Sequence, residues 1–211
     1  MGPRTKGAGE AVTGMTGEQA QAGARPMRAD AVRNRARILE AAEAVFASEG
    51  IEAPVDAIAE KAGVGVGTLY RHFPTKEQLC EAILLERLAA LAEDARALAG
   101  AEDPAAAFFG FLAHVVEQAA FKRDLLVAVM GAGLAFEVSA AGVKDELRAA
   151  VGELLGRAQE AGAVRADVTP DMVMALVGAT CQAAANDDCS GTDLLTIVCD
   201  GLRTQPRRIA P

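Results

Sequence analysis

Pro54, Gly63 and Pro74 cut the stretch PVDAIAEKAGVGVGTLYRHFPTKEQL (54–79) into two short segments, and this punctuation constrains the fold more than any other feature of the chain. Pro54 suits a first helical turn, where a missing N–H loses no partner. Val55, Ile58, Ala59 and Ala62 then recur at helical spacing, which gives the first segment one apolar face, with Gly63 at its C-cap. Pro74 stops the second segment. Thr75-Lys76-Glu77-Gln78 reads as a capping box, with Thr75 as N-cap and Gln78 three residues on, and opens another helix.

The glycines Gly63, Gly65 and Gly67 invite comparison with a phosphate loop. Such a loop needs backbone N–H groups presented between a strand and a helix, and here a helix comes first. A strand fails as well, because alternating glycine offers no packing face. What remains is a tight turn between two short helices. Gly63 ends the first, Val64 plugs the bend, and Gly65 to Thr68 open the second with side chains small enough to let a partner come close. Leu69 and Phe73 lie four apart and anchor that helix to a core, so Thr68, Tyr70, Arg71 and His72 project elsewhere. This suits docking into a DNA major groove. On geometry alone, an ordinary helical hairpin with its polar residues in water fits as well.

The rest of the chain predicts an all-α protein of about nine helices. Ile38, Ala42, Val45 and Phe46 mark one face of a helix that begins near Asp30 and stops at Gly50. The helix opened by Thr75 runs to about Gly100, and Asp103-Pro104 starts another. Further helices are expected over 122–130, 142–161, 170–186 and 192–203, with GAVRADV as a connector and Thr169-Pro170 as a cap. The resulting division is a disordered basic arm (1–29), a three-helix unit (30–76, its helix-turn-helix motif at 54–73) and a larger helical body (77–211).

Composition agrees. Trp is absent, Tyr occurs once, and the chain is rich in Ala, Leu, Glu and Arg, all good helix formers. The net charge of −8 is unevenly spread: residues 1–37 carry seven Arg/Lys against three acids, so the acidic excess lies beyond them. That pattern fits a basic arm on an acidic body, or simply a solvated tail. Cys80, Cys181, Cys189 and Cys199 show no metal-ligand spacing, and the three in helical patterns read as small buried hydrophobes, with Cys189 in the loop NDDCSG. No apolar run reaches the length of a membrane span and none follows the basic N-terminus as in a signal peptide, so a cytoplasmic location is expected.

The motif A-x-x-A-G-V-x-x-G-T-L-Y-x-H-F-x-x-K-E-x-L, complete from Ala59 to Leu79, closely resembles the helix-turn-helix signature of the TetR (TetR/AcrR) family of bacterial transcriptional regulators. The resemblance covers roughly residues 33–90, and the remainder fits in outline only. It implies an N-terminal DNA-binding domain and a C-terminal ligand-binding and dimerisation domain. Carried over by position, Val66 to His72 form the recognition helix. Thr68 and Tyr70 contact phosphate or base edges, His72 reaches the backbone, Gly67 permits close approach, and Lys76 grips phosphate. Arg71 stands at a variable position suited to a guanine or a phosphate. Arg33, Arg35 and Arg37 add contacts to the DNA backbone. One departure is Gly65, where the family often has Ser. Acids outnumber Lys and Arg over 34–80, so affinity has to come from placed cations and helix ends.

The resemblance also implies a dimer formed by the last two helices, for which Val173, Leu176, Val177, Thr180, Cys181, Ala184, Leu194, Leu195, Val198 and Leu202 supply an apolar stripe. Phe108, Phe111, Val115, Phe121, Met130, Leu134 and Phe136 are candidates to line a pocket for a small apolar effector, or are plain core. His114 and Gln182 are polar groups at otherwise apolar faces. They either orient a ligand or, for His114, form a satisfied core histidine. The expected function is a repressor, binding double-stranded operator DNA as a homodimer and released by that effector. The alternative is a helical small-molecule carrier or adaptor without DNA binding. No G-x-S-x-G, metal cluster or Cys–His pair suggests an enzyme, and no cofactor is expected.

Overall fold

The computed structural model describes the backbone of residues 19–118, 134–185 and 190–204, and the side chains of residues 30–118, 139–184 and 190–204. Among the described residues there are eight helices and no strand. They are α1 (Gln19–Glu49), α2 (Val55–Ala62), α3 (Val66–His72), α4 (Lys76–Ala99), α5 (Pro104–Glu117), α6 (Leu134–Glu160), α7 (Pro170–Ala185) and α8 (Gly191–Leu202). An isolated antiparallel bridge joins Val164, in the connector before α7, to Arg203 just after α8. The helix expected over 122–130 lies outside the described residues.

The caps form where local chemistry places them. The side-chain oxygens of Thr75, Asp103 and Thr169 accept from the backbone N–H of Gln78, Ala106 and Met172 at 3.2, 3.0 and 3.3 Å. Two helices start earlier than the sequence suggests. The segment expected to be a disordered arm is helical from Gln19, in spite of Gly23 and Pro26, whose helix-interior penalties of about 1 and 3 kcal/mol its Ala, Gln and Arg residues offset only in part. Likewise α6 begins at Leu134 and runs through Gly142, since burial of Ala140 against the N-terminal core outweighs the modest penalty of a helical glycine.

Two apolar clusters form the core. The first gathers Ile38, Leu39, Ala42, Val45 and Phe46 of α1, Ile58, Ala59 and Ala62 of α2, Leu69 of α3, Phe73, and Leu79, Ile83 and Leu84 of α4. The second joins Leu91, Ala92 and Ala95 of α4 to α5, α6, α7 and α8, around Phe108, Leu112, Val151 and Leu154. Helix α4 therefore serves both clusters, and it packs most extensively against α6. No helix among the described residues is long and apolar enough to cross a membrane.

Candidate nucleic-acid interface

The turn between α2 and α3 is set by backbone chemistry. Gly63 adopts φ +63°, the left-handed region, and ends α2. Its N–H donates to Glu60 O at 3.0 Å and the Val64 N–H to Ala59 O at 3.0 Å, which closes the helix as a Schellman motif does. Val64 packs half-buried against the first cluster, filling the bend. Gly65 is the N-cap of α3, and its carbonyl accepts from Thr68 and Leu69 at 2.8 and 3.1 Å.

Helix α3 is held from one side. Leu69 and Phe73 are buried and Val66 is half-buried against the same cluster, so Val66 contributes mainly to packing. On the other side Gly67, Tyr70 and Arg71 are exposed, with Thr68 and His72 half-buried beside them. A Cβ added at Gly67 would meet no atom within 4 Å. The chain's own packing therefore leaves room for a side chain at that position.

The cations expected at this surface are partly engaged within the chain. Arg33 pairs with Asp30. Arg35 bonds Glu86 of α4 at 2.8 Å, and its guanidinium lies 5.3 Å from the centre of the Phe73 ring. Arg37 donates to the Gly63 carbonyl at 3.5 Å, a long bond. The two ion pairs are exposed, of a kind worth about 0–1 kcal/mol, so a phosphate can displace either carboxylate. Arg71 has no hydrogen-bond or ion-pair partner among the described residues.

Lys76 stands differently. Its half-buried ammonium donates to Ala53 O at 3.0 Å and sits 5.8 Å from the Phe46 ring centre. It therefore ties the start of α4 to the loop before α2, which sets the pose of the motif. Replacing it in Lys76→Met should lower folding stability by about 1–2 kcal/mol, because the Ala53 carbonyl loses a charged donor. Urea denaturation measures this. Unchanged stability would leave Lys76 with no structural share.

In the second body the candidate pocket residues on α5 follow the plain-core reading, whereas His114 does not. Phe108 and Phe111 are buried in the second cluster, and Val115 is half-buried beside it. His114 is not a core histidine. Its side chain is 46% exposed, it lies 2.8 Å from the Gln118 amide nitrogen and 4.0 Å from the Asp94 carboxylate. Gln182 is exposed on α7. Phe121 and Met130, and the side chains of Leu134 and Phe136, lie outside the described residues.

The residues of the expected dimer stripe are placed differently from one another. Val173, Val177, Thr180, Leu195 and Leu202 are buried within the chain itself, and Cys181, Ala184, Leu194 and Val198 are half-buried. They face inward because α7 and α8 close the second cluster. Leu176 of the expected stripe lies on the face left open, with Met172 and Ile197; the three are 40%, 49% and 70% exposed. The signal was present in the sequence: α7 is apolar nearly all round, so it offers a second stripe beyond the one that packs inward. Cys80 is buried, and burial pushes its thiol pKa up to about 11, so it is protonated and unreactive at neutral pH.

A three-helix unit that presents a short, one-side-anchored helix after a glycine turn, joined by a long helix to a helical body, is the architecture of a helix-turn-helix DNA-binding regulator. The chain belongs to the TetR family of bacterial transcriptional regulators, as its motif implied. The family model "Bacterial regulatory proteins, tetR family" matches residues 38–83, and the model "Transcriptional regulator SbtR-like, C-terminal domain" matches 103–204. A TetR transcription regulatory protein from Mycobacterium vanbaalenii, known from its crystal structure, is 44% identical. That match covers 84% of this chain and 99% of the other at a TM-score of 0.66. The TetR regulator SCO0520 from Streptomyces coelicolor is 32% identical over 82% of this chain and 99% of its own, at a TM-score of 0.64. A curated HTH-type transcriptional regulator of Staphylococcus aureus is 51% identical over 55 residues, which span 26% of this chain and only 30% of that relative. The protein is accordingly a DNA-binding transcriptional regulator, and its relatives are regulators rather than enzymes.

Proposed function

We propose that the protein is a dimeric repressor whose N-terminal unit (30–76) reads an operator half-site and whose body (77–211) binds a small, mostly apolar ligand that releases it. The observation that carries the DNA surface is Gly67. It is not required by the chain's own packing, so its lack of a side chain leaves the start of α3 open to the approach of an outside partner. Beside it, Tyr70 at 47% exposure and Thr68 meet phosphate or base edges, and His72 reaches the backbone. Arg71 reads a guanine edge or grips phosphate. Arg33, Arg35 and Arg37 exchange their internal partners for phosphates, and Lys76 supports the motif from behind. Within the body, the aromatic side chains of α5 supply apolar surface for the ligand. Ligand binding favours a protomer arrangement in which two recognition helices no longer match half-sites about one helical turn apart, roughly 34 Å.

A gel shift on the promoter region beside the protein's own gene tests this. A specific complex is expected, weakening steeply as salt rises because phosphate contacts release counterions. Tyr70→Ala and Arg71→Ala should each weaken it by about 1–3 kcal/mol, roughly 5- to 150-fold, with elution on a sizing column unchanged. No specific, salt-sensitive complex with that region would sink the repressor reading.

A further inference from the structure

Midway along α4 the first apolar cluster gives way to the second: Leu84 and Leu85 pack into one, Leu88 and Leu91 into the other. Arg87 stands at this seam. Its Nε and Nη2 donate to the two carboxylate oxygens of Glu43 on α1 at 3.0 and 3.3 Å, and its Nη1 donates to the side-chain oxygen of Gln118 at 3.2 Å. Gln118 caps the C-terminus of α5, and its amide nitrogen lies 2.8 Å from His114 Nε2, one turn back on that helix. The side chains of Arg87 and Glu43 are only 23% and 34% exposed, so solvent and salt screen the pair less than a surface ion pair. A planar guanidinium that forks between a carboxylate and an amide fixes both distance and direction, which a lysine cannot do.

We infer that Arg87 is a positioning residue that ties the pose of α1, and with it α2 and α3, to the C-terminal end of α5. The two bodies share α4, and Ala140 of α6 also packs into the first cluster. The forked contact adds a directional tie between α1 and α5, two helices that pack little against each other directly. A shift of the end of α5 is then felt at the recognition helix, and occupation of the recognition helix is felt at α5. The regulatory meaning of this tether rests on the DNA-binding reading above, whereas the tether itself does not.

Hydrogen–deuterium exchange on the full-length chain tests it in two arms. Without DNA, Glu43→Gln should speed exchange of the Val115–Gln118 amides about fivefold, although position 43 lies on a different helix. Arg87→Met and Arg87→Lys should do the same, and the Glu43→Gln/Arg87→Met double variant should go no faster than Arg87→Met alone. Amides around Leu154 should keep their wild-type rates, which separates a lost tether from a general loss of stability. With the promoter DNA added, the wild type should show slowed exchange at both α3 and the end of α5, and Arg87→Met at α3 only. Unchanged rates at 115–118 in Glu43→Gln, or additive effects in the double variant, would overturn the inference. So would protection of α3 by DNA without any response of α5 in the wild type. DNA that protects α3 in no variant defeats the DNA-binding reading instead, and the DNA-free arm still decides the tether. Glu43→Gln and Arg87→Lys keep that arm decisive if Arg87→Met does not fold.

Discussion

Leu69→Ala is expected to remove operator binding and to destabilise the N-terminal unit by about 2–5 kcal/mol, as large-to-small changes in a packed core do. A helix as short as α3 has no stability of its own, since nucleation is costly and only a few hydrogen bonds repay it. What holds it is Leu69, 1% exposed in the first cluster, with Phe73 of the same cluster one turn on. Small domains are stable by about 5–15 kcal/mol in total, so the loss is a large share of what is available. Circular dichroism during urea unfolding should show an earlier transition, and the gel shift should show no specific complex. An unshifted midpoint would mean that α3 is anchored by something other than Leu69.

The contrast between what was legible in the sequence and what was not has a physical basis. Gly63, Thr75 and Asp103 act through hydrogen bonds to residues no more than a turn away, so their roles can be read from the residues beside them. The anchoring of α3 was equally legible, because Leu69 and Phe73 repeat at helical spacing. The partners of the cations were not. Arg35 meets Glu86 and Lys76 meets Ala53 across long stretches of chain, and no local pattern announces either contact. The same holds for His114, which a run of apolar neighbours suggested was core and which lies instead at an exposed edge of α5. For α7 the difficulty was of another kind. With apolar residues on two faces, periodicity does not show which face meets its own chain.

That open face yields the second large effect, which bears on the proposed dimer. Ile197→Glu should convert the dimer into monomers and lower affinity for a two-half-site operator by about 10²–10⁴-fold, the factor by which linked sites exceed a single one. Ile197 is 70% exposed, and Met172 and Leu176 add a second apolar strip on the neighbouring helix. Ala175 and Ala179, also exposed on α7, are small enough to let another helix approach closely. Solvent-facing apolar side chains grouped on two adjacent helices mark an association surface more often than isolated ones do. The inward residues Val173, Val177 and Leu195 stay packed whatever happens at position 197, so the fold should change by no more than about 0.5 kcal/mol. Sedimentation equilibrium reads the mass, and gel shifts on full and half operators read the affinity. The monomer should bind both DNAs alike and weakly, since it engages one half-site at a time. A variant that still sediments as a dimer would move the interface off this face and leave Met172, Leu176 and Ile197 without a partner in the assembly.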